Sequence, residues 1–261
     1  MISFQMSKRK RFILTSVLLS LGFIGIQFLD NQYRFLAIGG LGLATLLLFI
    51  WSLREGLGLN LTLLTLVLPV FFTVGIGLFW FLLPANIFAR LPAVFFYGLG
   101  IYALCLTTNI YTVATIRTIA LLRAARGVGF VLTLVTFFLI YDAILSLRAT
   151  IPITVLATSL ASYPLFLQGY WTIPLKTNFH KELFVISAIS SIVIGQIAIS
   201  LYFWPVTVVV GSLFLTVTVY VLLGLGQARL EARLFAQTVR EYLVVGLLVF
   251  LGMFIATRWG G

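Results

Sequence analysis

Runs of about 20 apolar residues, separated by short hinges that hold almost every charge, follow one another along the whole chain. Some 20 apolar residues make a helix that crosses roughly 30 Å of hydrocarbon, where only helices and closed barrels satisfy their own backbone. The pattern predicts an all-α, polytopic transmembrane helix bundle of about nine spans, a single integral membrane domain over residues 1–261. Hydrophobic residues are 62% of the chain and charged ones 9%, against roughly 25% charged in an average soluble domain. No water-soluble fold of this length hides so much apolar surface.

The nine runs are Phe12 to Leu29, Phe35 to Leu53, Leu61 to Leu83, Ala93 to Ile116, Val128 to Leu147, Ile153 to Gly169, Leu183 to Phe203, Val206 to Leu223 and Tyr242 to Thr257. The first follows Lys8, Arg9, Lys10 and Arg11, as the core of a secretory signal would. It exceeds the roughly 7 to 15 residues of such a core, and Asp30-Asn31-Gln32-Tyr33 offers no small-residue cleavage site, so it reads as a permanent span.

Lys and Arg concentrate in cytoplasmic loops. With the N-terminus inside, the inner side collects Lys8, Arg9, Lys10, Arg11, Arg54, Arg117, Arg123, Arg126, Lys176, Lys181, Arg229, Arg233 and Arg240, and the outer side only Arg34, Arg90, Arg148 and Arg258. This asymmetry predicts a cytoplasmic N-terminus and, with nine spans, an outside C-terminus, in a plasma (inner) membrane. Trp51, Trp80, Trp171, Trp204 and Trp259 fall near run ends, where half-dry indoles favour the headgroup level. Pro84, Pro92, Pro174 and Pro205 cluster there too, as helix stops and starts, whereas Pro69 lies within the third run.

Two inner hinges are long enough to hold structure, Thr118 to Gly127 and Gly226 to Glu241. In the second, Leu230 and Leu234 lie four apart beside a row of Arg229, Arg233 and Gln237. It is either an amphipathic helix on the membrane surface or a prolongation of the eighth span. Arg117, Arg123, Arg126, Arg229 and Arg233 are candidate contacts for anionic headgroups at the inner face or for a membrane-protein partner. The net charge of +11 is spread over hinges and not gathered on one soluble face, so nucleic acid is not expected.

An ionisable residue deep in a span is a functional candidate by default, and only Asp142 qualifies. It lies fourteen residues into the run from Val128, roughly 21 Å from the inner edge at about 1.5 Å per residue. It reads either as a contact for a cation or substrate, or as a structural carboxylate held by Arg148, Arg34 or Arg90 from the outer side. Thr107, Thr108, Asn109, Thr112 and Thr115 either glue helices together or line a polar cavity. Small residues at four-residue spacing, Thr154, Thr158 and Ser162 against Ser187, Ser191 and Gly195, predict that the sixth and seventh spans form a hairpin.

His180 stands alone in a loop, and Cys105 is the single cysteine, inside an apolar run. There is no zinc-binding histidine pair, nucleophile elbow or phosphate-binding loop. We therefore expect no cofactor, no metal and no hydrolytic or group-transfer activity. The stretch Asn109 to Phe130, NIYTVATIRTIALLRAARGVGF, resembles a segment of uncharacterised multi-pass proteins of uncultured bacteria, of the domain-of-unknown-function kind. The resemblance implies a bacterial membrane and makes the hinge with Arg117, Arg123 and Arg126 a family feature; it carries no activity, ligand or partner across.

The scarcity of buried charge and the basic hinges favour a non-enzymatic scaffold or assembly subunit. The alternative is a small permease for an uncharged or lipid-like substrate, with Asn109, Thr112 and Asp142 in its lining; an enzyme acting on lipid comes third. The charge asymmetry yields a direct test. Single cysteines placed at Arg123 or Arg233 in a Cys105→Ala background should resist an impermeant thiol reagent in intact cells, and ready labelling would reverse the topology.

Overall fold

The computed structural model describes residues 7–26, 29, 31–54, 62–84, 87–114, 120–175 and 181–257. Among them every regular element is a helix: α1 (Lys8–Gly25), α2 (Asn31–Leu53), α3 (Thr62–Trp80), α4 (Ile87–Ala114), α5 (Leu122–Ser146), α6 (Ile151–Trp171), α7 (Lys181–Tyr202), α8 (Val208–Leu230) and α9 (Ala236–Ala256). Seven of them, α2 and α4 to α9, are long and apolar enough to cross a membrane. The apolar stretch of α3 is shorter, Leu64–Trp80, and α1 spends its first turn on Lys8, Arg9, Lys10 and Arg11. The chain is a polytopic helical membrane protein.

Several helices overrun the apolar runs that predict them, because a helix continues into the headgroup region once charged heads reach water along their stems. Thus α5 starts at Leu122 and not Val128, and α8 continues to Leu230. The long hinge after the eighth run is divided: Gly226 to Leu230 prolongs the span, and Ala236 to Glu241 already belongs to α9. The prolongation ends where Ala232 takes a left-handed conformation (φ 56°), with Arg233 to Phe235 non-helical before α9. Pro92 and Pro164 lie inside α4 and α6. The indoles also depart from a simple belt. Trp171 is fully buried, and Trp80 is buried against Phe23 (4.9 Å, edge-on) and under the Arg90 guanidinium (5.1 Å).

The helices cluster into two compact units, Met1–Leu132 and Thr133–Gly261. In the first, α1 packs on α2 and α4, and α3 packs on the same two helices. Phe23, Phe49, Tyr97, Ile101 and Leu104 fill the middle. Hydroxyls of three helices meet here: Thr45 lies 3.0 Å from Thr73, and Thr73 lies 3.2 Å from Tyr97. At Gly100 a side chain would run into the ring of Phe72, so the closeness of α3 and α4 depends on glycine there.

In the second unit α6 and α7 lie closest together, α8 packs on both, and α9 packs on α8. The hairpin of α6 and α7 forms as the small residues predict. Ser191 donates to the Ser159 carbonyl, and Gly195 faces Ser159 and Val155. The α6 ridge is thus turned by one residue from Thr154, Thr158 and Ser162, and Ser162 instead meets Tyr141 of α5 at 2.7 Å.

Toward the opposite end of this unit, Tyr170 of α6 bonds Ser190 of α7 (2.8 Å) and the Leu222 carbonyl of α8 (3.1 Å). Gln227 of α8 donates to the Gly169 carbonyl at 3.0 Å. Gly226 gives the Tyr170 ring its place, since a Cβ there would overlap the ring. Gly226→Ala should therefore cost about 1–3 kcal/mol through overpacking, lowering the unfolding midpoint in detergent. At Gly252 of α9 nothing stands within 4 Å of a Cβ. Gly252→Ala should be neutral or gain up to about 1 kcal/mol from helix propensity, and equal effects of the two changes would refute the Tyr170 contact.

Candidate functional site

Asp142 sits on α5 four residues before its end at Ser146, roughly 6 Å along the axis at about 1.5 Å per residue. Its carboxylate is 4% exposed and accepts the Ser212 hydroxyl of α8 at 3.2 Å. The expected arginine is not its partner. Arg148, two residues past α5, is exposed and makes no ion pair among the described residues. Ser212 also donates to the Val209 carbonyl (3.0 Å), so one hydroxyl proton is divided between an acid and a backbone acceptor. Next to it, Tyr141 is fully buried and bonded to Ser162. The α5 carboxylate is one member of a polar seam that ties α5 to α6 and α8.

The threonine cluster of α4 turns inward on its own helix. Thr107 donates to the carbonyls of Ala103 (3.1 Å) and Leu104 (3.0 Å), Thr108 to that of Leu104, and Thr112 to that of Asn109 (2.9 Å). Thr107, Thr108 and Thr112 are buried and Asn109 is half-buried. Such back-bonding satisfies a hydroxyl without water, which is the helix-packing reading of this cluster. Cys105, among them, is fully buried.

Arg123 is exposed in the first turn of α5 and Arg126 is half-buried, close to where the Tyr111 hydroxyl bonds the Ala125 carbonyl (3.0 Å). Arg229 pairs with Glu182 at the start of α7 (3.2 Å), and Arg233 lies 3.8 Å from Glu231. Both pairs are largely exposed, so each contributes little to stability and leaves donors for other anions. Arg117, Thr115, Lys176 and His180 lie outside the described residues.

Sequence reasoning does not single out Tyr141, Tyr170, Ser212 or Gln227. Gly224 and Gly226 were the available signal: two glycines two apart in an apolar helix mark where rings from neighbouring helices press in, here Tyr242 and Tyr170.

A family profile built on related sequences matches residues 17–256, nearly all of these helices. The chain belongs to DUF5656, a family of proteins of unknown function. No curated protein and no solved structure matches it. The DUF5656 match extends the likeness first visible in Asn109 to Phe130 over the whole membrane region and brings no activity with it.

Because the partner of Asp142 is a hydroxyl and not an arginine, exchanging the acid for its amide keeps an acceptor for Ser212. Asp142→Asn should leave the unfolding midpoint unchanged or raised. Ser212→Ala removes the one side-chain donor that a buried acid has among the described residues and should cost about 1–3 kcal/mol. A large loss in Asp142→Asn with none in Ser212→Ala, measured by thermal unfolding in detergent, would contradict this pairing.

Proposed function

We propose that this DUF5656 protein is a non-enzymatic subunit that assembles with another integral membrane protein of a bacterial plasma membrane. The observation that carries this reading is the state of α9. Only 6% of its span is buried within the protein, against at least 33% for each of the other six long spans. Met253 is its sole buried residue, and it touches α8 on one side. A membrane imposes no hydrophobic drive between helices, so spans hold together by close packing and polar contacts. A span with so little of either is free to offer its flank to a partner span.

The permease reading has less support. The hydroxyls of Thr107, Thr108 and Thr112 are engaged with their own helix, and the Asp142 carboxylate is closed off by Ser212. Ion-coupled transport also calls for more buried charge than one acid.

Leu248 and Ile255 are prominent on the open flank of α9, at 62% and 82% exposure. Extraction in mild detergent should yield a complex with a second polypeptide in fixed ratio, and a Leu248→Trp, Ile255→Trp variant should lose that polypeptide while keeping its own unfolding midpoint. A monomer carrying lipid alone, in several mild detergents, would end the subunit reading.

A further inference from the structure

A cavity of about 670 Å³ opens in the second unit where α5 ends and α6 begins, the end opposite the Glu182 and Arg229 pair. Its volume falls in the roughly 300–1,000 Å³ range of small-molecule sites. Leu145, Ala198, Leu201 and Val206 make an apolar wall, and Tyr202 and Trp204 stand beside it. Among the described residues of the lining, Arg148 is the one that carries a charge.

Among the described residues that arginine makes no ion pair, and the one acid at its own end of the unit is engaged elsewhere. Of the four acidic residues in residues 133–261, Asp142 is buried and bonded to Ser212. Glu182 begins α7, Glu231 follows α8 and Glu241 lies in the early turns of α9, all at the other end of their helices. Arg148 is moreover held in a left-handed conformation (φ 46°), which glycine adopts freely and a bulky side chain only at a cost. The Thr207 hydroxyl, also in the lining, accepts the Val210 N–H (3.4 Å) and keeps its own proton to donate. The starts of α6 and α8 adjoin the same cavity, adding the positive ends of two helix dipoles.

We propose that this cavity binds an anionic glycerophospholipid, its phosphate diester held by the Arg148 guanidinium and the Thr207 hydroxyl and its glycerol and upper acyl carbons against the apolar wall. The lining matches both halves of such a molecule. A guanidinium bonds a phosphate in bidentate fashion, and a cavity between spans at the level of Trp204 opens where headgroup meets hydrocarbon. Among the described residues no carboxylate lines the cavity to hold a choline or ethanolamine cation, so net anionic lipids are favoured over zwitterionic ones. Ala256 of α9 also borders this cavity, whereas Arg123, Arg126, Arg229 and Arg233 of the basic hinges do not.

The test is a titration of the purified protein in dodecyl maltoside with dioleoylphosphatidylglycerol, dioleoylphosphatidylcholine or inorganic phosphate, read by the unfolding midpoint and by native mass spectrometry of bound lipid. Phosphatidylglycerol should raise the midpoint and stay bound as a single adduct, while phosphatidylcholine and free phosphate do neither. Arg148→Gln and Arg148→Gly should each weaken phosphatidylglycerol binding about tenfold or more, the loss of a charged hydrogen-bond donor, and Arg148→Lys should fall between. Lipid-free Arg148→Gly should be at least as stable as the parent, which separates a lost ligand from a damaged fold. Arg229→Gln should bind as the parent does. Equal stabilisation by phosphatidylcholine or by free phosphate, unchanged affinity in Arg148→Gln, or an equal loss in Arg229→Gln would each overturn the proposal.

Discussion

Hydrocarbon supplies no water, so a hydroxyl in a span gains most from an acceptor inside the protein. In this chain the nearest one is usually the carbonyl one turn back. Thr45 donates to Leu41, Thr73 to Pro69, Thr158 to Thr154, Ser187 to Leu183, Thr216 to Ser212 and Thr257 to Met253. A hydroxyl committed in this way has spent its proton and keeps its lone pairs. It then serves a neighbouring helix as an acceptor. Ser162 donates to the Thr158 carbonyl and so receives the Tyr141 proton from α5. Thr73, committed to Pro69, stands ready to receive Tyr97 from α4 in the same way. Helix-to-helix contact in both units grows from bonds made first within single helices.

The tyrosines are the other half of that arrangement. Each carries a phenol across an interface, and its ring needs a flat place to lie. Gly226 provides that place for Tyr170, Gly224 for Tyr242, and Gly129 lies under the Tyr111 hydroxyl. In α8 the two glycines are two residues apart, so they face different directions, one toward α6 and the other toward α9. One short stretch therefore sets the distance of α8 from two neighbours. Gln227, the next residue, locks the first of these with its bond to the Gly169 carbonyl.

Much of this was legible in the sequence, for reasons specific to a bilayer. Apolar run length alone locates the spans, since hydrocarbon thickness dictates it, and each helix from α1 to α9 overlaps one run. Run ends are less informative, because a helix does not stop where hydrophobicity does; the extra turns of α5 and α8 show this. The α6 and α7 hairpin was readable from small residues, although its register on α6 was displaced by one residue. Asp142 was found by charge, but its partner was not. A carboxylate suggests an arginine, whereas Ser212 looks like any other small residue until the fold brings α8 beside α5. The tyrosine contacts were the least legible, because an aromatic residue in an apolar run announces burial and not which backbone it will touch.

The sharp break at Ala232, with α9 beyond it, bears on how the protein is made. A helix supported by one flank of α8 and by the Trp204 ring against Phe250 and Phe254 has little prepared groove to draw it out of water. Its entry into the bilayer must rest on its own transfer free energy, to which a mean hydropathy of 2.0 over its span is well suited. The segments before it, with more polar seams to close, finish by mutual recognition after insertion. For α9 the bilayer is therefore the larger part of its surroundings, and protein contact the smaller.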